Sequence, residues 1–220
     1  MFDGTLSSAS GRGRAWIDSL FVDHAILRMT WTNFRTVIPG RVYRCNHPTP
    51  WRLAMATRRL RLKTLVNLRG HRKCGSDALS RDAARRLGLK HIDMAFESRN
   101  APHRDRIERF EAIYRSVTFP MLMHCKSGAD RTGLAAGLVI LFEGGTAREA
   151  LRQLSWKNGH FNSSRTGVLD AFFLRYQAEA EGRIPFMQWV RTEYDEDRLR
   201  HDFRAGKIAA FLNDSVLRRE

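Results

Sequence analysis

Four short segments, VYRC, KTLVNL, HIDM and MLMH, concentrate apolar and β-branched residues, and longer stretches between them repeat apolar positions every three or four residues. The short segments predict strands and the longer ones helices. PTPWRLAMATRRLRL predicts a helix opened by Pro50, and SDALSRDAARRLGL a second, starting at Ser76 or Asp77 and ended by Gly88. Over residues 103–117, Ile107, Phe110, Ile113 and Val117 recur at helical spacing. MLMH feeds a polar loop and then the apolar helix RTGLAAGLVILF. Thr146 and Glu149 form a capping-box pair for another helix, and Leu169, Phe172, Phe173 and Tyr176 mark one more over 168–180. This alternation predicts an α/β fold, with a mostly parallel central sheet of four to five strands flanked by helices.

The ends depart from the alternation. Residues 1–14 are rich in glycine and serine, and 15–31 predict a helix with Trp16, Ile17, Leu20, Phe21, Leu27 and Trp31 on one broad face. Val22, Ile26 and Met29 lie off that face. So blurred a stripe is expected to pack against the main domain rather than lie on a membrane. The chain divides into an N-terminal extension (1–30), a main domain (31–183) and a C-terminal helical extension (184–220).

At 220 residues and 43% hydrophobic, the chain can bury one substantial core. Its longest apolar run, 134–142, is too short to span a bilayer. The N-terminus lacks the apolar segment of a secretory signal. Cys45, Cys74 and Cys125 share no metal-ligand spacing, so reduced thiols in the cytoplasm are expected, with neither metal nor other cofactor. A formal charge of +15 points to an anionic substrate or surface, such as the inner face of a membrane.

The loop CKSGADR joins strand MLMH to the following helix, where open α/β sheets place their ligand crevice. Gly128 and Gly133 permit close backbone approach, so successive N–H groups can turn inward. The helix adds its positive N-terminal end. The result is an anion cradle with the Cys125 thiol at its floor, and the same field favours a thiolate. Arg131 offers a planar fork for two phosphate oxygens. Together these describe phosphoryl transfer through a thiophosphate, with the Thr132 hydroxyl stabilising the sulfur as leaving group. A buried, inert cysteine and a rhodanese-like sulfur-transfer loop are the competing readings.

HCKSGADRT resembles the His-Cys-x5-Arg-Thr/Ser signature of the cysteine-dependent protein tyrosine phosphatases, in the small dual-specificity-like, bacterial-type branch. The likeness extends from NFRTVIPGRVYRCNHPTP, similar to the first strands of small members, to SSRTGVLDAFFLRY. It implies hydrolysis of phosphate monoesters, with Cys125, Arg131 and Thr132 catalytic and the substrate held by Lys126, Ser127, Gly128, Ala129, Asp130 and Arg131. It also nominates Asp93, 32 positions before Cys125, as general acid. Glu97 and Asp105, further along the same loop and helix start, compete for that role. Asp130 either assists water or substrate, or orients Arg131 and caps the helix, and His124 supports the loop from behind.

Arg69, His71, Arg72 and Lys73 follow one strand, Arg99, His103 and Arg104 another, and both groups are expected at the crevice beside Lys126. So many cations suit a substrate with several anionic groups, such as a phosphorylated lipid or inositol; a phosphoprotein is the other candidate. An RNA 5′-phosphatase and a non-catalytic phosphate- or nucleic-acid-binding module remain alternatives. Nucleic acid is disfavoured, because WKNGHF, with Trp156, His160 and Phe161, is the single stretch that interleaves exposed aromatics with cations.

Overall fold

The computed structural model describes residues 6–28 and 30–217, with the side chains of 6–26 and 30–206; Leu27 of the predicted N-terminal face, and Met29 beside it, lie outside the latter. Five strands form one sheet: β1 (Arg35–Ile38), β2 (Val42–Cys45), β3 (Thr64–Asn67), β4 (Lys90–Asp93) and β5 (Met121–His124). Their order is β1-β2-β5-β3-β4. All neighbours run parallel except β1, which returns antiparallel on β2.

Parallel neighbours require crossovers, supplied by α2 (Pro50–Leu60), α3 (Gly75–Arg86) and α4 (Arg104–Ser116). Helix α2 opens at Pro50 as the sequence suggests, with Thr49 as its cap. Strands β2, β3 and β5 are buried at every position, the condition of a sheet covered on both faces. Alternate residues therefore feed opposite cores. Met121 and Met123 join Val42, Val66 and Phe110, whereas Leu122 joins Tyr43, Leu65 and Leu53. Beyond β5 come α5 (Asp130–Phe142), α6 (Ala147–Leu151) and α7 (Val168–Glu179), with the Thr146–Glu149 capping box formed at the start of α6.

The core does not stop at 183. In α8 (Phe186–Thr192), Trp189 is fully buried against Phe172 and Tyr176 of α7, and Tyr194 packs on Phe172 before α9 (Glu196–Leu217) begins.

The N-terminal helix corrects the expectation in an informative way. It begins earlier, as α1 (Ala9–Ile17), continues through a π-helical turn over Asp18–Val22, and breaks at Asp23. It does pack on the domain, against α3, but through its small and polar residues. A Cβ at Gly75 would lie 2.0 Å from the Ala15 carbonyl oxygen. Ser19 Oγ meets Ser76 Oγ at 2.8 Å, and the Gly75 amide donates to Asp18 at 2.6 Å. Contact so close leaves no room for large side chains, and Trp16, Ile17, Phe21, Val22 and Ile26 face solvent.

Candidate active site

Strand β5 ends at His124, and Cys125 starts the loop that leads into α5. Four successive carbonyls of this loop are bonded from outside. The His47 amide donates to Lys126 O at 3.1 Å. Asn33 Nδ2 donates to Ser127 O at 3.2 Å and, behind it, to Asn158 O at 2.9 Å. The Arg44 guanidinium donates to Gly128 O at 2.6 Å and Ala129 O at 3.3 Å. With the carbonyls held outward, the amides turn in, and the Gly128 N–H reaches the Cys125 sulfur at 3.3 Å. Gly128 sits at φ +77°, and a Cβ there would lie 2.8 Å from the Asn46 nitrogen, so no other residue fits.

Arg44, like Asn33 and His47, is a member of this arrangement that sequence reading missed. It lies mid-strand in β2 and is fully buried, held also by the Gln153 carbonyl at 2.8 Å. Burial lowers its pKa to about 10, against the opposing pull of Cys125. The signal was there: a lone arginine inside the buried segment VYRC must have partners.

Arg131 is half-buried beside Cys125; burial lowers its pKa and the attraction of Cys125 opposes this. Its neighbour Asp130 is engaged elsewhere. His160, itself buried, places Nδ1 2.7 Å from Asp130 and Nε2 2.6 Å from Asp170 of α7. Burial works against its charge, but these two carboxylates prevail and raise its pKa to about 9. The imidazolium thereby competes with Arg131 for the Asp130 carboxylate and leaves the guanidinium available to a ligand. Thr132 is fully buried, and its hydroxyl has no hydrogen-bond partner among the described residues. His124 sits behind the loop, its Nδ1 3.4 Å from the Cys125 carbonyl; burial and the edge-on His47 push its pKa well down, so it is neutral.

The three acid candidates have different surroundings. Arg81 Nη2 lies 2.7 Å from each Asp93 oxygen, and Asn67 Nδ2 donates to Asp93 at 3.1 Å. Asp105 has 77% of its side chain exposed, beside Arg106. Glu97 follows Phe96, whose amide bonds Leu68 O at 3.3 Å as Leu68 in turn bonds His124 O at 2.8 Å. Glu97 Oε2 is buried with no hydrogen-bond partner among the described residues.

The expected ring of cations is only partly present. Arg69 makes a two-pronged pair with Asp23, at 2.9 and 3.0 Å, and Lys126 lies 3.3 Å from the same carboxylate. His71, Arg72 and Lys73 are exposed. In the second loop, Arg104 donates to the Tyr194 carbonyl and His103 meets Glu196 at 3.4 Å, so both serve the docking of the C-terminal helices and not the crevice. Cys74 caps α3, whereas Cys45, on the adjoining strand, is the thiol that feels the Cys125 charge; burial pushes the Cys45 thiol up. Among the described residues no cluster of three or more His, Cys, Asp or Glu could hold a metal ion.

A family model described as the tyrosine phosphatase family matches residues 28–153, more than half of the chain. The chain belongs to the tyrosine phosphatase family. No curated protein matches it. Two solved structures share the phosphatase's fold. One is Pseudomonas aeruginosa TpbA, with TM-score 0.52 and 22% identity over 71% of this chain and 91% of that one. The other is a DUF442 protein from Shewanella putrefaciens CN-32, with TM-score 0.53 and 14% identity over 71% of this chain and 95% of that one. No helix of the phosphatase, among the described residues, is long and apolar enough to cross a membrane.

Proposed function

We propose that the chain hydrolyses phosphate monoesters by a cysteinyl-phosphate route, on multiply anionic substrates of the phosphorylated lipid or inositol kind. The supporting observation is the set of outward-bonded carbonyls from Lys126 to Ala129, which aims the loop amides at the space above the Cys125 sulfur. The thiolate attacks phosphorus, Arg131 holds two of the phosphoryl oxygens, and the S–P bond forms as the ester oxygen leaves. Thr132 then donates to the sulfur while water displaces it from phosphorus.

The departing oxygen needs a proton. Asp93, which the family resemblance nominates, already has both carboxyl oxygens engaged by the Arg81 fork. Glu97, by contrast, has a carboxyl oxygen with no partner among the described residues, so that oxygen is not already committed to another side chain. We therefore assign the proton to Glu97, with Asp93 and Arg81 holding the strand end from which its loop departs.

Exposed Arg72, whose charge Arg131 feels, supports a substrate with more than one anionic group, and an anionic membrane surface is one place that presents it. A phosphoprotein is the second reading, favoured by the family. Three free thiols support a cytoplasmic setting. The test is Cys125→Ser. Turnover of an aryl phosphate should disappear while vanadate affinity persists, since the amides remain. Retained turnover would remove the covalent route.

A further inference from the structure

A group of positive charges outside the cradle lies around a separate cavity of about 560 Å³. Four arginines from three parts of the chain line it: Arg99 from the loop after β4, Arg165 from the loop before α7, and Arg200 and Arg204 from α9. The lining includes no carboxylate. Arg200 has one acidic neighbour, Asp197, at 2.9 Å, and its Nε is buried with no hydrogen-bond partner among the described residues. Arg99, Arg165 and Arg204 are exposed, and among the described residues no carboxylate pairs with them. Scattered arginines on a surface need no explanation, but four around one concavity repel each other. An anion there relieves that repulsion and accepts several charge-assisted hydrogen bonds.

The cavity is lined from segments that also carry residues of the site. Arg99 is two residues from Glu97, and Arg165 five residues from His160. Val168 lines the cavity from the first turn of α7, the turn whose Asp170 anchors His160 against Asp130. A molecule with one phosphate ester on Cys125 and a second phosphate on these arginines would bridge the His160 edge of the crevice.

We infer that the Arg99–Arg165–Arg200–Arg204 cavity is a second anion site, which takes a further phosphate group of the substrate whose ester is cleaved at Cys125. It rests on the phosphatase reading and narrows it, since a substrate with a single phosphate has nothing to place there. The ligand chemistry is a compact phosphate monoester or diester, from either a soluble polyphosphorylated molecule or a lipid headgroup.

The experiment compares kcat/KM for a single-phosphate aryl ester, soluble inositol bisphosphate and a bisphosphorylated lipid in vesicles, using wild-type protein and the Arg165→Ala/Arg204→Ala variant. Both substitutions are at exposed positions, and the aryl ester reports whether the variant is folded. The ratio of bisphosphate to aryl-ester kcat/KM should fall about tenfold, through KM, the loss of one to two charge-assisted contacts. A fall with both bisphosphates places the site on the phosphate itself, and a fall with vesicles alone assigns it to lipid headgroups. An unchanged ratio on both overturns the second site. Arg131→Ala, run beside it, separates the two levels. If that protein still turns over the aryl ester, the phosphatase reading fails; if it is dead while the ratio is unchanged, only the second site fails. A thermal shift with inorganic tripolyphosphate that persists in Arg131→Ala and vanishes in Arg165→Ala/Arg204→Ala supports the second site independently of turnover.

Discussion

The loop after β5 and the loop after β4 leave the same edge of one sheet, yet they are built on different principles. The first is held by its backbone: carbonyls 126–129 have partners on β2, on the Asn33 segment and at the start of the His47 loop. The second distributes its side chains in several directions, with Asp93 on Arg81, His103 on Glu196 and Arg104 on the Tyr194 carbonyl. A site fixed through main-chain groups can be written as a short contiguous motif. One fixed through scattered side-chain pairs leaves no such mark.

The strongest way to break this contrast is Gly128→Ala. Left-handed backbone and the clash with Asn46 should together cost roughly 2–4 kcal/mol of stability and lower turnover about 10³-fold, as the amides lose their aim. Chemical denaturation and aryl phosphate kinetics measure both, and a mild effect on each would mean the loop is not held through its backbone.

Next in size is the acid. Glu97→Gln should slow an alkyl phosphate about 10²-fold and an activated aryl phosphate little, because a good leaving group departs without a proton. Asp93→Asn should show no such leaving-group dependence, and Asp105→Asn should stay within about twofold on both, in line with its exposure. Leaving-group dependence in Asp93→Asn would return the role to Asp93.

A smaller effect sharpens the comparison at the point where a side chain does reach the first loop. His160→Gln should release Asp130 toward Arg131 and weaken phosphate binding about tenfold, and adding Asp130→Asn should restore much of it. Additive losses in that cycle would mean His160 is merely structural. The same contact predicts a pH limb. The folded-state pKa of His160 is raised from 6.5 to about 9, so its stabilisation is full below about 6.5 and is lost as pH rises through about 9. Phosphate affinity and thermal stability should decline together over that window in wild type, and the decline should flatten in His160→Gln.

Much of this was legible in advance. Alternation and capping placed the four parallel strands and most helices between them, because buried parallel strands must be apolar runs and capping chemistry is local. Cys125, Gly128 and Arg131 declared themselves by spacing. Asp23 on Arg69, Asn33 on Ser127, Arg44 on Gly128 and His160 on Asp130 did not, since each joins residues far apart in the chain. The N-terminal helix misled for another reason. Its large apolar residues suggested the packing face, but the close approach at Gly75 selects small side chains and reverses that inference.

Arg44 carries one more consequence. A residue in the middle of the sheet cannot let go of the Gly128 and Ala129 carbonyls unless the strand itself comes apart. The catalytic loop therefore has no inexpensive open state of its own, although surface loops usually do. Ligands should therefore find the loop already shaped, with little ordering entropy left to lose.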